Sequence, residues 1–219
     1  MTDPRQPSID PGRDSRTTAP WQMTECDPHE GGLRDPVLPD VLAPNLDVVF
    51  CGTAVGEASA RAGAYYAGPG NRFWPALHEA GFTPIRLRPQ DDRTLLDYRI
   101  GLTDLAKRIA GNDRILSRAD FDCAGLRQRI ERIRPRILAF TCKRAAQEFT
   151  GLRRLDYGPL GIDVFSDTAV FVLPSPSGSA CRYWHIEPWK RLKRLVDHRG
   201  DTRLAPSPGI ELPAFSPLA

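Results

Sequence analysis

The stretch that decides the fold is residues 46–56, LDVVFCGTAVG. Its first seven residues form a short apolar run, which is typical of a strand buried on both faces. Gly52 and Gly56 then predict a tight turn, where a backbone without Cβ atoms can approach a ligand closely. The three residues between the glycines include only one hydroxyl, Thr53. The sequence therefore raises the question of what ligand such a turn serves.

Two further apolar runs, 135–142 (PRILAFTC) and 169–178 (AVFVLPSPSG), also predict buried strands. Helical patterns with apolar residues on one face occupy 71–81, 122–135 and 143–151. Strands that alternate with helices predict an α/β fold, a three-layer single domain with a central, mainly parallel sheet flanked by helices. Ligands of such sheets bind at the carboxyl ends of the strands, which here are GTAVG, TCKRAA and PSPSG.

Charge divides the chain into three parts. Residues 1–40 contain seven prolines with eight acidic and four basic residues, and residues 198–219 contain four more prolines. Both segments are predicted to be disordered tails. The folded domain, 41–197, holds 24 basic and 17 acidic residues and is therefore basic. A polyanion such as DNA fits that charge, although many basic domains bind no nucleic acid.

The five cysteines are scattered without a C-x-x-C pair, so the sequence predicts no metal or iron–sulfur site. Their odd number, and the lack of an apolar leader, indicate a reducing cytoplasm. No apolar run approaches the roughly 18 residues of a membrane span. A cytoplasmic location is therefore the expectation.

The segment GAYYAGPGNRFW, residues 63–74, predicts a rigid loop that presents an aromatic face. Tyr66 there could stack on a flipped base, or one of the two tyrosines could only cap the core. Asn71 could bind a ligand or cap the helix that follows.

Two later segments carry further polar candidates. In YRIGLTDLAKR, Asp104 could position a water, accept a proton or simply cap a helix. In LPSPSGSACRYW, small hydroxyls and free N–H groups suit a phosphate backbone, and Arg182 adds charge. A plain surface loop is the alternative for this second segment. His185, which follows it, is expected to pack among the nearby aromatic residues.

Together these segments closely resemble the mismatch-specific uracil-DNA glycosylases, the bacterial relatives of thymine-DNA glycosylase. The resemblance covers about 41–197 and runs through DVLAPNLDVVFCG, AGPGNRFW, EAGFTP, LLDYRIGLTDL, PRILAFTCKRAA and VLPSPSG. It implies a monofunctional enzyme that flips uracil or another damaged base out of DNA and hydrolyses the N-glycosidic bond. The implied partner is double-stranded DNA, and also single-stranded DNA, that contains uracil or mismatches. The resemblance implies no cofactor, and it implies a monomer in the bacterial cytoplasm that associates with the nucleoid.

By position, the resemblance assigns the turn from Gly52 to Gly56 to the water side of the site and Tyr66 to the extruded base. It implies substrate contacts for Asn71, Ser175 and Ser177. The DNA-contacting residues that it implies are Gly178, Ser179, Ala180, Arg182 and Lys143. The family's wedge side chain has no clear equivalent here, because Ser179 and Ala180 are small.

One departure matters for the chemistry. The family's first motif normally reads Gly-Ile-Asn-Pro-Gly, and its asparagine orients the attacking water; here Ala54 occupies that position. Ser175 likewise stands where the family often has asparagine. Asp104 and Glu57 are the first candidates to replace the missing group, followed by Thr53 and Thr103. A silent protein that only binds DNA lesions, and a hydrolase of free nucleosides or nucleotides, remain as alternatives.

Overall fold

The computed structural model describes residues 35–198. Its central sheet has five strands: β1 (Val48–Val55), β2 (Ile100–Ala110), β3 (Ile137–Phe140), β4 (Gly158–Leu160) and β5 (Ala169–Val172). Their order across the sheet is β2-β1-β3-β5-β4. The first four strands in this order, β2, β1, β3 and β5, run parallel to one another. The edge strand β4 pairs antiparallel with β5. The predicted α/β class with a mainly parallel sheet is confirmed.

Helices connect and cover the strands. The α-helices are α1 (Glu57–Ala62), α2 (Phe73–Glu79), α3 (Cys123–Ile133), α4 (Lys143–Thr150) and α5 (Glu187–Asp197). Three 3₁₀ segments occupy Pro89–Tyr98, Arg118–Asp120 and Gly178–Tyr183. The predicted helices α2, α3 and α4 are confirmed, whereas α1 and α5 were not predicted. In the part of the chain that the structure describes, no helix is both long and apolar enough to cross a membrane.

Each face of the sheet has its own apolar core, which explains why the strands read as continuous apolar runs. On one face Phe50 of β1 stacks on Trp189 of α5, with ring centroids 5.5 Å apart. On the other face Phe140 of β3 packs with Leu126 of α3 and Phe149 of α4. Burial on this scale contributes about 25 cal/mol per Å² of apolar surface.

The prediction that β1 ends at Gly52 in a turn is wrong. The strand continues to Val55, because Gly52 and Ala54 pair with Asp104 and Ala106 of β2. The alternative that Asp104 caps a helix is also wrong, since this residue lies within β2. β2 does not read as a strand in the sequence, because polar residues that are buried in the fold interrupt its apolar run.

The folded part of the described chain begins before the predicted boundary at residue 41. The N–H of Val37 donates to the Lys107 carbonyl of β2 at 2.8 Å, and Leu38 is buried. Val41 exchanges two backbone hydrogen bonds with Leu102. The predicted disorder of residues 37–40 is therefore wrong, because they pack against β2. The rest of the two predicted tails, 1–34 and 199–219, lies outside the described residues.

Candidate active site

The three central strands run parallel, and β3 ends level with Cys51, so the second half of β1 lies between β2 and the segment that follows β3. Gly52 of β1 pairs with Asp104 of β2. The N–H of Thr141, just after β3, donates to the Cys51 carbonyl at 2.9 Å. A carboxylate therefore lies on one side of the GTAVG segment and a hydroxyl on the other. This edge is where ligands of parallel sheets bind.

Gly52 is a glycine because the Asp104 carboxylate occupies the space of a side chain. A Cβ at Gly52 would lie 2.3 Å from Oδ1 of Asp104 and 3.4 Å from Oη of Tyr66. The predicted reason for this glycine was close approach to a ligand; the structure shows close approach of these two side chains. Gly56 differs, because it is exposed at the start of α1 and an added Cβ there would meet open space.

Asp104 is the most unusual titratable group at this edge. Its side chain is 2% exposed, and Oδ2 is wholly buried without a hydrogen-bond donor among the described residues. Burial raises the pKa of this carboxyl to about 7, against the opposing effect of Lys107. A buried polar group without a partner is costly, so such groups are concentrated at functional sites.

Tyr66 lies over the ends of β1 and β3. Its backbone has φ of 55°, and its ring stacks on Phe73 with a centroid distance of 3.8 Å. Its hydroxyl lies 3.4 Å from Oγ1 of Thr141. Burial, and then the charge of Asp104, raise the pKa of this phenol well above its ordinary value, so Tyr66 is neutral. Because Phe73 covers one face of the ring, only the opposite face could stack on a base.

On the β3 side of β1 the contacts are between neutral groups. The hydroxyl of Thr53 lies 3.0 Å from Sγ of Cys142, and that sulfur accepts a hydrogen bond from the N–H of Ala145 at the start of α4. Burial raises the pKa of the Cys142 thiol to about 11, so the thiol is protonated at neutral pH. Neither Thr141 nor Cys142 was among the predicted site residues. Their position after a predicted strand, at TCKRAA, was the available signal.

The other two catalytic candidates lie apart from the Asp104 carboxylate. Thr103 is wholly buried and donates its hydroxyl proton to Oδ1 of Asp40 at 2.7 Å. Since neighbouring residues of a strand point to opposite faces, its side chain is directed away from that of Asp104. Glu57 is the first residue of α1; its side chain is 72% exposed and lies 3.8 Å from Arg61.

Asn71 serves the helix that follows it. Its Oδ1 accepts a hydrogen bond from the N–H of Phe73 at 2.9 Å, at the first turn of α2. Asn71 and Tyr66 also line a cavity of about 400 Å³ between the 66–75 and 86–89 segments. Gly52, Thr53 and Asp104 are not among the residues that line this cavity.

The serine-rich loop after β5 is joined to the tyrosine loop. The N–H of Arg72 donates to the Pro176 carbonyl at 2.8 Å. A Cβ at Gly178 would lie 3.4 Å from the carbonyl oxygens of Pro69 and Gly70. Within the loop, the N–H of Ser177 donates to Oγ of Ser175 at 3.3 Å. The two predicted binding segments therefore form one surface.

The predicted DNA-contacting residues differ in exposure. Gly178, Ser179 and Arg182 are exposed, and Ala180 is half-buried. Lys143, the first residue of α4, lies with Nζ 4.6 Å from the ring centroid of Tyr157. His185 is exposed rather than packed in the core, and it meets the same tyrosine ring edge-on. Lys143 and His185 are therefore linked through Tyr157.

A comparison with known families identifies the domain that carries this site. Residues 39–197 match the family model of the Uracil DNA glycosylase superfamily, which is well over half of the chain. The chain belongs to the uracil DNA glycosylase superfamily. Membership in this superfamily indicates a DNA glycosylase.

A solved structure agrees with the superfamily assignment. The chain is similar to a protein from Methanosarcina acetivorans whose solution NMR structure is provisionally described as a uracil DNA glycosylase. The two share 25% sequence identity with a TM-score of 0.54, and the match covers 74% of this chain and 97% of the other. The resemblance stated from sequence is confirmed at the level of the superfamily. The narrower mismatch-specific family stays a prediction.

Proposed function

We propose that this protein is a monofunctional glycosylase that excises uracil, or another deaminated base, from DNA by hydrolysis of the N-glycosidic bond. The single observation that carries the proposal is the Asp104 carboxylate, buried against Gly52 and beneath the hydroxyl of Tyr66. It supplies a charged oxygen at the edge of the sheet where Ala54 supplies none.

A carboxylate at this position has two uses in the reaction. Cleavage of an N-glycosidic bond passes through an oxocarbenium-like state, and a fixed negative charge beside the sugar stabilises the developing positive charge. The same oxygens can accept a proton from the attacking water. Both uses require the ionised form, which for a pKa of about 7 is populated at neutral pH. Oδ2 is wholly buried and has no hydrogen-bond donor among the described residues, so its lone pairs are not engaged by another group of the protein.

The neutral groups around the carboxylate suit recognition of a flipped base. The face of the Tyr66 ring opposite Phe73 is the surface on which a flipped base could stack, worth roughly 1–3 kcal/mol per base. Thr53, Thr141 and Cys142 place two hydroxyls and a thiol at the strand ends, where they can hydrogen-bond to the polar edge of a base. The exposed residues Ser179 and Arg182, on the loop after β5, face solvent and are suited to contact phosphates.

Single-turnover release of labelled base tests the proposal. Duplexes that carry G:U, A:U, G:T or hypoxanthine, together with single-stranded uracil, would be incubated with wild type, Asp104→Asn and Glu57→Gln. We expect release by wild type, and a loss of about 10²–10⁴-fold in Asp104→Asn. Glu57→Gln should stay within about threefold of wild type, because that side chain points into solvent and pairs with Arg61.

The opposite results identify the alternatives. Equal loss in Glu57→Gln would show that the exposed carboxylate approaches the substrate on binding. If no duplex loses its base while lesion DNA still binds tightly, the protein is a silent lesion binder. The lack of a polar atom at Ala54, together with the 2% exposure of Asp104, is what favours that second candidate.

A further inference from the structure

Asp40 is the centre of a charged cluster behind the candidate site. It lies in the segment before β1, and its Oδ1 accepts hydrogen bonds from Nζ of Lys107 and from Oγ1 of Thr103, both at 2.7 Å. Its Oδ2 lies 3.4 Å from Nε of Arg129 on α3. One carboxylate therefore contacts both cations that lie nearest to Asp104.

Lys107 has no donor left for Asp104. An ammonium carries three N–H bonds. Those of Lys107 go to Asp40, to the Leu38 carbonyl at 2.8 Å and to Oη of Tyr65 at 3.1 Å. The lysine is buried, so these contacts fix its position.

Arg129 is directed away from the carboxylate in a similar manner. Its Nη1 donates to Asp122 at 3.3 Å, and its Nη2 donates to the backbone carbonyl of Asp104 at 3.4 Å. The guanidinium therefore contacts the main chain of Asp104 and not its side chain. Nε faces Asp40 within ion-pair distance.

We propose that Asp40 is a positioning residue for the active site: it engages Lys107 and Arg129, so that the Asp104 carboxylate has no cationic partner among residues 35–198 and remains able to take up a proton. This inference rests on the proposed function, because it assigns Asp104 to the chemistry. A salt-bridged Asp104 would hold its negative charge too firmly to act as a base near neutral pH.

The charged and titratable groups that face Asp104 come from every neighbouring element: Asp40, Cys51, Tyr65, Tyr66, Lys107 and Arg129. Burial is the largest influence on the pKa of Asp104; Asp40 raises it further, and the two cations lower it. Without the negative charge of Asp40, the two cations lower the pKa of Asp104 unopposed by that charge, so the ionised form of Asp104 becomes more favourable.

The test is the pH dependence of single-turnover uracil release by Asp40→Asn. Asparagine has nearly the same shape and keeps an oxygen for Lys107 and Thr103. We expect the acid limb of the rate profile to move to lower pH by about one unit. Asp122→Asn is the matched control, because Asp122 also contacts Arg129 but does not reach Lys107, and its limb should not move.

A purely structural role for Asp40 would lower the plateau rate and leave the midpoint in place, and that result would overturn the inference. If Asp40→Asn is too unstable to assay, Lys107→Gln carries the test, since loss of the cation should move the midpoint to higher pH. An unmoved midpoint there also overturns it. Absence of base release by wild type is a different failure, which overturns the proposed function itself.

Discussion

The two neighbours of β1 give its carboxyl end two very different sides. The β2 side is charged: the carboxylate of Asp104 lies next to Gly52, and the ion pair of Asp40 and Lys107 lies on the far side of Asp104 from Gly52. On the β3 side lie neutral groups, where Thr53 contacts the protonated thiol of Cys142. The GTAVG segment separates these two sides.

This difference shows how a strand that offers few polar side chains to a site can be complemented by its neighbour. Ala54 contributes no hydrogen-bonding atom, but the pairing of Gly52 with Asp104 brings a carboxylate to the same edge from the adjacent strand. We infer that the charged side serves catalysis and the neutral side serves base recognition. The predictions below test that division of roles.

The largest effect should follow from Gly52→Ala. A Cβ there would lie 2.3 Å from Oδ1 of Asp104, so the carboxylate must move. We expect a loss of base release of at least about 100-fold, comparable to removal of a catalytic acid–base group. Single-turnover rates and circular dichroism would separate displacement from unfolding. Gly56→Ala is the control, because its Cβ meets open space, and equal losses in both variants would refute the contact argument.

The second effect concerns stability. The folded pKa of Asp104, about 7, exceeds the ordinary value of 3.8, so the folded state holds an extra proton between these pH values. The free energy of unfolding therefore falls as pH rises through this window, by up to about 1.4 kcal/mol per unit. Asp104→Asn removes this cost. Its Tm relative to wild type should be several degrees higher at pH 8 than at pH 4.5.

Thermal denaturation of both proteins across that range measures the effect. The comparison is the change of the Tm difference with pH, which cancels any fixed effect of the new amide. A difference that stays constant from pH 4.5 to pH 8 would mean that Asp104 ionises in the folded protein as it does in the unfolded chain.

A smaller effect is expected at the outer surface. Lys143→Ala and Arg182→Ala should each weaken binding to lesion and undamaged DNA about equally, because phosphate contacts carry no sequence information. Each should reduce the slope of log affinity against log salt by about one. Titrations at several salt concentrations measure this. Glu131→Ala, at an exposed position of α3, is a control that removes a negative charge. An unchanged slope in Lys143→Ala would exclude Lys143 from the DNA interface.

The smallest effect on chemistry should come from the neutral side. Cys142→Ser keeps a small polar group beside Thr53 and adds no charge, so the rate on a good substrate should change by less than about threefold. The ratio of rates among uracil, thymine and hypoxanthine should change more than the rate itself. A loss as large as that of Asp104→Asn would place catalysis on both sides of β1.

Local pattern was sufficient for most of the fold. The apolar runs of β1, β3 and β5 and the amphipathic repeats of α2, α3 and α4 were all readable in the sequence. β2 was missed because Asp104 and Lys107, both buried, interrupt its apolar pattern. The helix α5 also carries a readable signal, because its buried residues Pro188, Trp189 and Leu192 recur at helical spacing.

The site was only partly predictable, because its contacts join distant parts of the chain. The sequence marks Asp104 as a candidate within YRIGLTDLAKR, but its approach to Gly52 depends on the register between β1 and β2. Asp40 was assigned to a tail, since its partner Lys107 lies 67 positions later. Cys142 is not recognisable as a site residue from the sequence, because its contact with Thr53 spans 89 positions.

The most direct test of the central claim is the pH profile of single-turnover release from a G:U duplex by wild type, measured from pH 5.5 to 8.5. If the ionised Asp104 carboxylate performs the chemistry, the rate should rise about tenfold per pH unit below pH 7 and level off above it. Asp104→Asn should show no such limb. A wild-type rate that is flat with pH, or a limb that persists in Asp104→Asn, would contradict the assignment of Asp104 as the catalytic carboxylate.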